Sequence, residues 1–151
     1  MITITKNPKK KTYKDLIELA FKFCDSFHLV IRKDMGTIED YNQILQRLES
    51  SLIEMKEESE WASTILGDGQ TAYVYYYNTD DNAKKVVLES SNNLFGWEHP
   101  DLPEDLSFFK NNKEWLVTIS HEKEAFIYNS DKSELDQINA IKGLKLLHEN
   151  D

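Results

Sequence analysis

The sequence predicts an α+β domain in which a mostly antiparallel sheet of four or five strands is packed with about four helices. Three observations lead to this class. Alternating side chains over residues 71–77 indicate a strand, and a pattern of three strands joined by turns at about residues 106–128 indicates a meander. The other apolar residues recur at the three- and four-residue spacing of helices. Residues 1–151 are expected to form one domain, because ~150 residues is a usual size for a single core.

The first part of the chain predicts strand, helix and strand. Residues 1–5 alternate isoleucine with threonine, which is typical of a short edge strand. Thr12 and Asp15 have the spacing of a capping box, so we expect a helix with a wide apolar face to begin there. The branched residues of 28–32 then predict a strand.

A long second helix is expected next. Thr37 and Asp40 have the spacing of another capping box. The apolar residues after them lie on one face of a helix as far as about Glu57. The strand at 71–77 follows, with its seven residues flanked by turn signals.

The second half of the chain predicts a helix, the meander and a last helix. The third helix is expected over residues 82–94. Within the meander, Asn111–Asn112 predicts a tight primed turn, because asparagine tolerates positive φ better than most residues. Asp131 and Glu134 form a capping box for the last helix, whose apolar spacing continues to Leu147.

The charge is unevenly distributed along the chain. The formal net charge is −9, but residues 1–14 hold five lysines and no acid, so the rest carries −14. Two interpretations of the segment 1–11 stay open, a solvated chain end, which is the more common case, and a small flexible basic arm. An acidic body repels nucleic-acid phosphates, so we expect a basic protein partner and no nucleic acid.

The same features predict a cytoplasmic protein with no membrane partner. No apolar run approaches the ~20 residues of a membrane span, and the first residues lack the apolar segment of a secretory signal. The lone Cys24 cannot form an internal disulfide.

Motifs that carry catalytic chemistry are missing from the sequence. No two histidines or cysteines have the spacing of metal ligands. The segment 67–71 lacks the lysine and the earlier glycine of a phosphate loop, and no G-x-S-x-G is present. The sequence thus predicts no cofactor and no metal, and it favours a protein that is not an enzyme.

One cluster of polar residues, which we call the corner, is a candidate binding or catalytic site. The residues that flank the predicted hairpin are His99, Asp101, Glu104 and Asp105 before it, and His121 and Glu122 after it. In an antiparallel hairpin the start of the first strand lies beside the end of the second, so Glu104 or Asp105 should come near Ser120 or His121.

Three interpretations of this corner stay open. The carboxylates could cap backbone N–H groups of the proline-bearing loop while His121 bonds across the hairpin. The corner could instead bind a ligand or partner. As a third option, a carboxylate beside an imidazole could act as an acid-base pair or a weak metal site.

The pattern D-L-P-E-D-L-S-F-F, W-L-V-T-I-S-H-E and A-F-I, with Trp61 and the strand T-A-Y-V-Y-Y-Y upstream, resembles a family of small bacterial proteins found in Bacillus-like genomes. The resemblance covers about residues 57–130. It implies a fold and a bacterial source, and no reaction. A weaker resemblance, through L-P-E-D followed by aromatic residues, links the chain to a family of immunity proteins. In that family the motif continues as a helix to a glycine-rich turn, whereas a strand is predicted here.

Three functions are compatible with these features. The first is a non-enzymatic, immunity-like or antitoxin-like binding protein whose acidic surface meets a basic partner. The second is a small enzyme or ligand-binding domain that uses Glu104 or Asp105 with His121. The third is a structural homodimer, formed through the aromatic sheet or the long helix.

Overall fold

The centre of the protein is one antiparallel sheet of eight strands. A computed structural model describes residues 1–62 and 64–149; Ser63, Asn150 and Asp151 lie outside the described residues. The strands of the sheet are β1 Ile2–Ile4, β2 Ser26–Arg32, β3 Leu52–Glu58, β6 Ala72–Asn78, β7 Glu104–Lys110, β8 Lys113–Ile119, β9 Glu124–Ile127 and β10 Leu146–His148. Their order is β10-β1-β9-β8-β7-β2-β6-β3, and every neighbouring pair is antiparallel. The α+β class is confirmed, but the sheet is larger than the four or five strands expected.

Four α-helices cover one face of this sheet. They are α1 Lys11–Phe23, α2 Asn42–Leu48, α3 Asp81–Ser90 and α4 Lys132–Asn139. Buried side chains from all four share one apolar cluster with the sheet, in which Phe27 and Phe108 are fully buried. Burial of such rings dominates core energetics.

No helix among the described residues is both long and apolar enough to pass through a membrane.

The other face of the sheet is covered in part by a small ribbon of two short strands, β4 Glu60–Trp61 and β5 Thr64–Ile65. Trp61 packs there in a separate cluster with Val30 and Val74. The alternation of the β6 strand explains the division, since its odd-numbered tyrosines contact the helical side and Val74 faces the ribbon.

The meander predicted at about 106–128 is present as β7, β8 and β9. Asn111 and Asn112 form its first turn with φ values of 52° and 64°, the left-handed conformations that a primed turn requires. Lys123 turns the chain into β9 with a φ of 56°.

The long second helix predicted to Glu57 is wrong in its second half. The helix ends at Leu48, a 3-10 turn follows at Glu49–Ser51, and the chain continues as strand β3 beside β6. Ser51 is buried and its hydroxyl donates to Asp80, the residue that caps α3. This anchor, together with pairing to the tyrosine-rich strand, overrides the helical propensity of the segment.

The last helix is also shorter than predicted. The Asp131–Glu134 capping box is present, but α4 ends at Asn139. Gly143 then adopts a φ of 87°, which favours glycine, and the chain turns back to form β10. Leu147, expected on the buried face of this helix, is half exposed in that strand.

The first residues form part of the sheet. Strand β1 lies between β9 and β10 and is paired on both sides. The backbone N–H of Lys10 donates to the Asn92 carbonyl. The expected edge strand is therefore an inner strand, and the segment 1–11 is held against the body and does not form a flexible arm. The Thr12 hydroxyl donates to the Lys142 carbonyl and does not cap α1.

Candidate functional site

The mouth of the β7–β8 hairpin brings together the residues that the antiparallel geometry predicts. The Ser120 backbone N–H donates to Asp105 Oδ1 at 2.9 Å, and the Asp105 N–H donates to Ser120 Oγ at 3.4 Å. The next residue, His121, lies with its Nδ1 3.4 Å from Glu104 Oε1. The carboxylate-histidine corner therefore exists as a contact.

The loop before the hairpin is fixed to the core by Trp97. Its indole is fully buried, and its Nε1 donates to the hydroxyl of Tyr13, which in turn donates to the Val87 carbonyl. The Trp97 carbonyl accepts a hydrogen bond from Ser120 Oγ at 2.6 Å. Helices α1 and α3 thus set the position of the loop relative to the hairpin.

A third acid completes the corner. Glu98 lies with Oε2 4.0 Å from His121 Nδ1, and its Oε1 accepts a hydrogen bond from Lys123 Nζ at 2.8 Å. One potential ligand atom from each of Glu98, Glu104 and His121 lies within 4.8 Å of the other two. These residues come from the loop, the start of β7 and the 3-10 turn at Ser120–Glu122.

Glu104 is almost completely buried, whereas His121 is about half exposed. Burial is the main reason why the pKa of Glu104 is raised, and the charges of Asp105 and Glu98 add to that effect. The His99 backbone N–H, which donates to Glu104 Oε1 at 3.0 Å, and nearby His121 act in the opposite direction. The corner therefore pairs a desolvated carboxyl group with a solvent-accessible imidazole.

Asp105 holds the two ends of the hairpin and the ribbon together beside the corner. Besides Ser120, it accepts a hydrogen bond from Trp61 Nε1 at 2.9 Å, which attaches the ribbon to the hairpin. Burial raises the pKa of Asp105, and these two hydrogen bonds oppose the rise. Its φ of 57° is left-handed, a conformation that aspartate tolerates better than most residues.

A cleft of about 270 Å³ opens beside these groups. Its lining residues are Arg32, Thr64, Ile65, Glu104, Asp105, Ile119, His121 and Glu122. A volume near the lower end of small-ligand pockets, with charges of both signs in its wall, suits a small polar ligand.

Two of the predicted residues have side chains elsewhere. The His99 ring bonds the Tyr41 hydroxyl through Nδ1, so His99 serves the corner only through its backbone N–H. Asp101 lines a different cleft with Glu39 and Arg47. Glu122 lines the corner cleft as expected.

Sequence reasoning missed Glu98, Lys123 and Arg32. Glu98 lies directly between Trp97 and His99 in the loop that had been singled out, so a wider search of that loop could have found it. Arg32 and Trp61 come from distant strands, and nothing local in the sequence links them to the hairpin.

No family model, curated protein or solved structure matches this chain. The resemblance to a small bacterial family stays a prediction.

A second polar feature lies inside the sheet. The imidazole of His28 is completely buried between the rings of Tyr76 and Phe109, and neither ring nitrogen has a hydrogen-bond partner among the described residues. Burial lowers the pKa of His28 to about 3, and the nearby Asp105 backbone carbonyl, which makes no well-formed hydrogen bond with the ring, offsets this only in part. His28 is neutral in the folded protein at ordinary pH.

Proposed function

We propose that this chain is a non-enzymatic binding protein of the cytoplasm that docks a strand of a basic partner on the free edge of β3, in the manner of an immunity or antitoxin protein. The observation that carries the proposal is the outer edge of the sheet. β3 pairs with β6 on one side, and no other strand in the described part of the chain pairs with it.

The edge strand has the composition of a docking site. Six of its seven residues are exposed, among them Leu52, Ile53 and Met55 at 39%, 49% and 43%. An edge strand presents unpaired N–H and C=O groups to which another strand can add. Exposed apolar side chains beside such a row supply the contacts that give a partner affinity.

The negative charge of the chain favours a basic partner strand at the edge of β3. Strand β3 carries Glu54, Glu57 and Glu58; Lys56 lies 3.3 Å from Glu54, and Lys33 pairs with Glu57, so Glu58 is the acid left without a cation among the described residues. The whole chain has a net charge of −9, so a second copy would bring like charge to this edge, whereas a basic strand would be attracted.

The test uses a photo-crosslinking residue at position 53, with position 65 on the ribbon as the matched exposed control. We expect a basic protein to be captured from the native host at position 53 and not at position 65. Its purified complex should weaken at least ~10-fold with Ile53→Lys or Met55→Lys, because an added cation repels a basic strand, and should weaken with salt. Ile65→Lys should leave the affinity unchanged.

Two results would contradict this proposal. Cross-links from position 53 to a second copy of the chain would establish the homodimer instead. Absence of any cross-link at low salt would leave the edge without a partner.

The second candidate function is binding of a small polar ligand at the hairpin mouth. The cleft beside Glu104 and His121 is the specific observation that favours it. Screening of small polar compounds by NMR, with the His121 ring resonances as reporter, tests it. A screen that leaves those resonances unmoved would remove this candidate.

A further inference from the structure

We infer that Glu98, Glu104 and His121 form a binding site for a divalent transition-metal ion such as Zn²⁺. The inference deepens the second candidate function, ligand binding at the hairpin mouth, and does not depend on the edge of β3. One imidazole nitrogen and two carboxylate oxygens form a ligand set that suits Zn²⁺ and its neighbours in the first transition series.

The spacing of the ligand atoms fits one ion. Ligands about 2.1 Å from a tetrahedral ion are about 3.4 Å apart. His121 Nδ1 lies 3.4 Å from Glu104 Oε1 and 4.0 Å from Glu98 Oε2, and all three groups can place a ligand atom within 4.8 Å of one another. A small rotation of the partly exposed Glu98 side chain can shorten its distances to both His121 and Glu104.

The burial of Glu104 favours a bound cation beyond the attraction of the negative charges of the two glutamates. The Glu104 side chain is 2% exposed, and both of its polar contacts among the described residues, the His99 N–H and His121 Nδ1, are made by Oε1. Oε1 therefore lies where it could bind an ion together with His121 Nδ1. A nearly buried carboxylate in the wall of a cleft is stabilised when a cation binds it.

The ligands are held by groups outside the ion's own contacts. The His99 N–H orients Glu104, and Lys123 holds the other oxygen of Glu98, so that Oε2 remains directed toward His121. Such supporting contacts orient metal ligands in proteins and limit the loss of freedom on binding.

Glu104 and His121 line the cleft described above, and Glu98 lines a separate cleft on the other side, so a fourth ligand would approach from beside Glu104 and His121. Three protein ligands with one open position are the arrangement in which zinc keeps a water molecule or takes a ligand. The neighbouring Arg32 and Glu122 side chains line the cleft beside Glu104 and His121, so an anionic or zwitterionic compound is the class that could reach the ion.

The experiment is a titration of the full chain with Zn²⁺ against a chromophoric chelator. We expect one ion per chain with a dissociation constant in the micromolar range or tighter. His121→Ala and Glu104→Gln should each weaken binding at least tenfold. His148→Gln removes an exposed histidine that is outside the triad, and it should bind Zn²⁺ like the unaltered chain. His121 is exposed, so His121→Ala tests the site even if Glu104→Gln folds poorly.

Cobalt supplies an independent readout. Co²⁺ bound to the unaltered chain should show visible absorption of a four-coordinate site, and that absorption should be absent with His121→Ala. Equal Zn²⁺ affinity in all variants, or no saturable binding at millimolar Zn²⁺, would overturn the inference. If small compounds shift the His121 resonances in metal-free protein while Zn²⁺ shows neither effect, the inference fails and ligand binding at the corner stands.

Discussion

His28→Leu should raise the free energy of unfolding, and the gain should grow as the pH falls. At neutral pH neither nitrogen of the buried imidazole has a well-formed hydrogen bond within the described chain, and the nearby Asp105 carbonyl compensates only in part. The remaining cost is about 1 kcal/mol relative to an apolar side chain of similar size. Leucine removes that cost, and it packs beside Tyr76 and Phe109 without a polar group.

The acid part of the effect follows from the lowered pKa of His28, about 3 in the folded protein against an ordinary value of 6.5. Below pH 6.5 the unfolded chain takes up a proton that the folded protein takes up only near pH 3. Stability is therefore lost as the pH falls through this window, by about 3 kcal/mol at pH 4. Leucine cannot titrate, so the variant keeps that stability.

Urea denaturation of both proteins at pH 7 and pH 4 measures the effect. Glu104 and Asp105 have raised pKa values and so act with the opposite sign, stabilising the fold at low pH and losing that contribution as the pH rises. Both residues are present in the unaltered protein and in the His28→Leu variant, so their contributions largely cancel when the two free energies of unfolding are subtracted. His148→Gln, which changes an exposed histidine, is the control. An equal His28→Leu effect at both pH values would contradict a buried, neutral His28.

Asp105→Ala should destabilise the protein by about 3–6 kcal/mol. The change leaves Trp61 Nε1 and the Ser120 N–H without their acceptor. It also places alanine at a φ of 57°, where an L-residue with no local hydrogen bond is strained. The attachment of the ribbon to the hairpin is lost with the same substitution.

Two further substitutions separate these causes. Asp105→Asn keeps one of the two acceptor oxygens and a residue that tolerates positive φ, but its NH2 group faces the other donor, so a loss of about 1–3 kcal/mol is expected. Asp105→Gly relieves the backbone strain but not the lost hydrogen bonds, and should be more stable than the alanine variant by about 1 kcal/mol. Thermal and urea unfolding rank the three variants, with Asp101→Ala as a surface control. Equal stability of the alanine and asparagine variants would show that the carboxylate contacts contribute little.

The meander and its polar mouth could be predicted because their signals are local. Asn111–Asn112 specifies the turn, alternation specifies the strands, and antiparallel pairing then places Asp105 beside Ser120 without any distant information. The capping box at Asp131 and Glu134 is likewise a matter of neighbours in the chain.

The elements that the sequence predicted wrongly depend on contacts with distant parts of the chain. Leu48, Leu52 and Met55 have helical spacing, and the choice of strand depends on pairing with the tyrosines of β6, which no local pattern reveals. The same holds for 146–148, whose partner is β1. Burial of His28 depends on rings from two other strands, so the sequence could not distinguish it from the exposed His121.

The place of β1 between β9 and β10 has a consequence for biosynthesis. Ile2 pairs with Ile127 on one side and His148 on the other, so β1 leaves the ribosome long before either of its neighbours is synthesised. Such long-range closure is slow, and the unpaired Ile-Thr-Ile segment is open to association with other nascent chains meanwhile. Truncated translation products that end before residue 124 should therefore aggregate readily and depend on chaperones to stay dispersed.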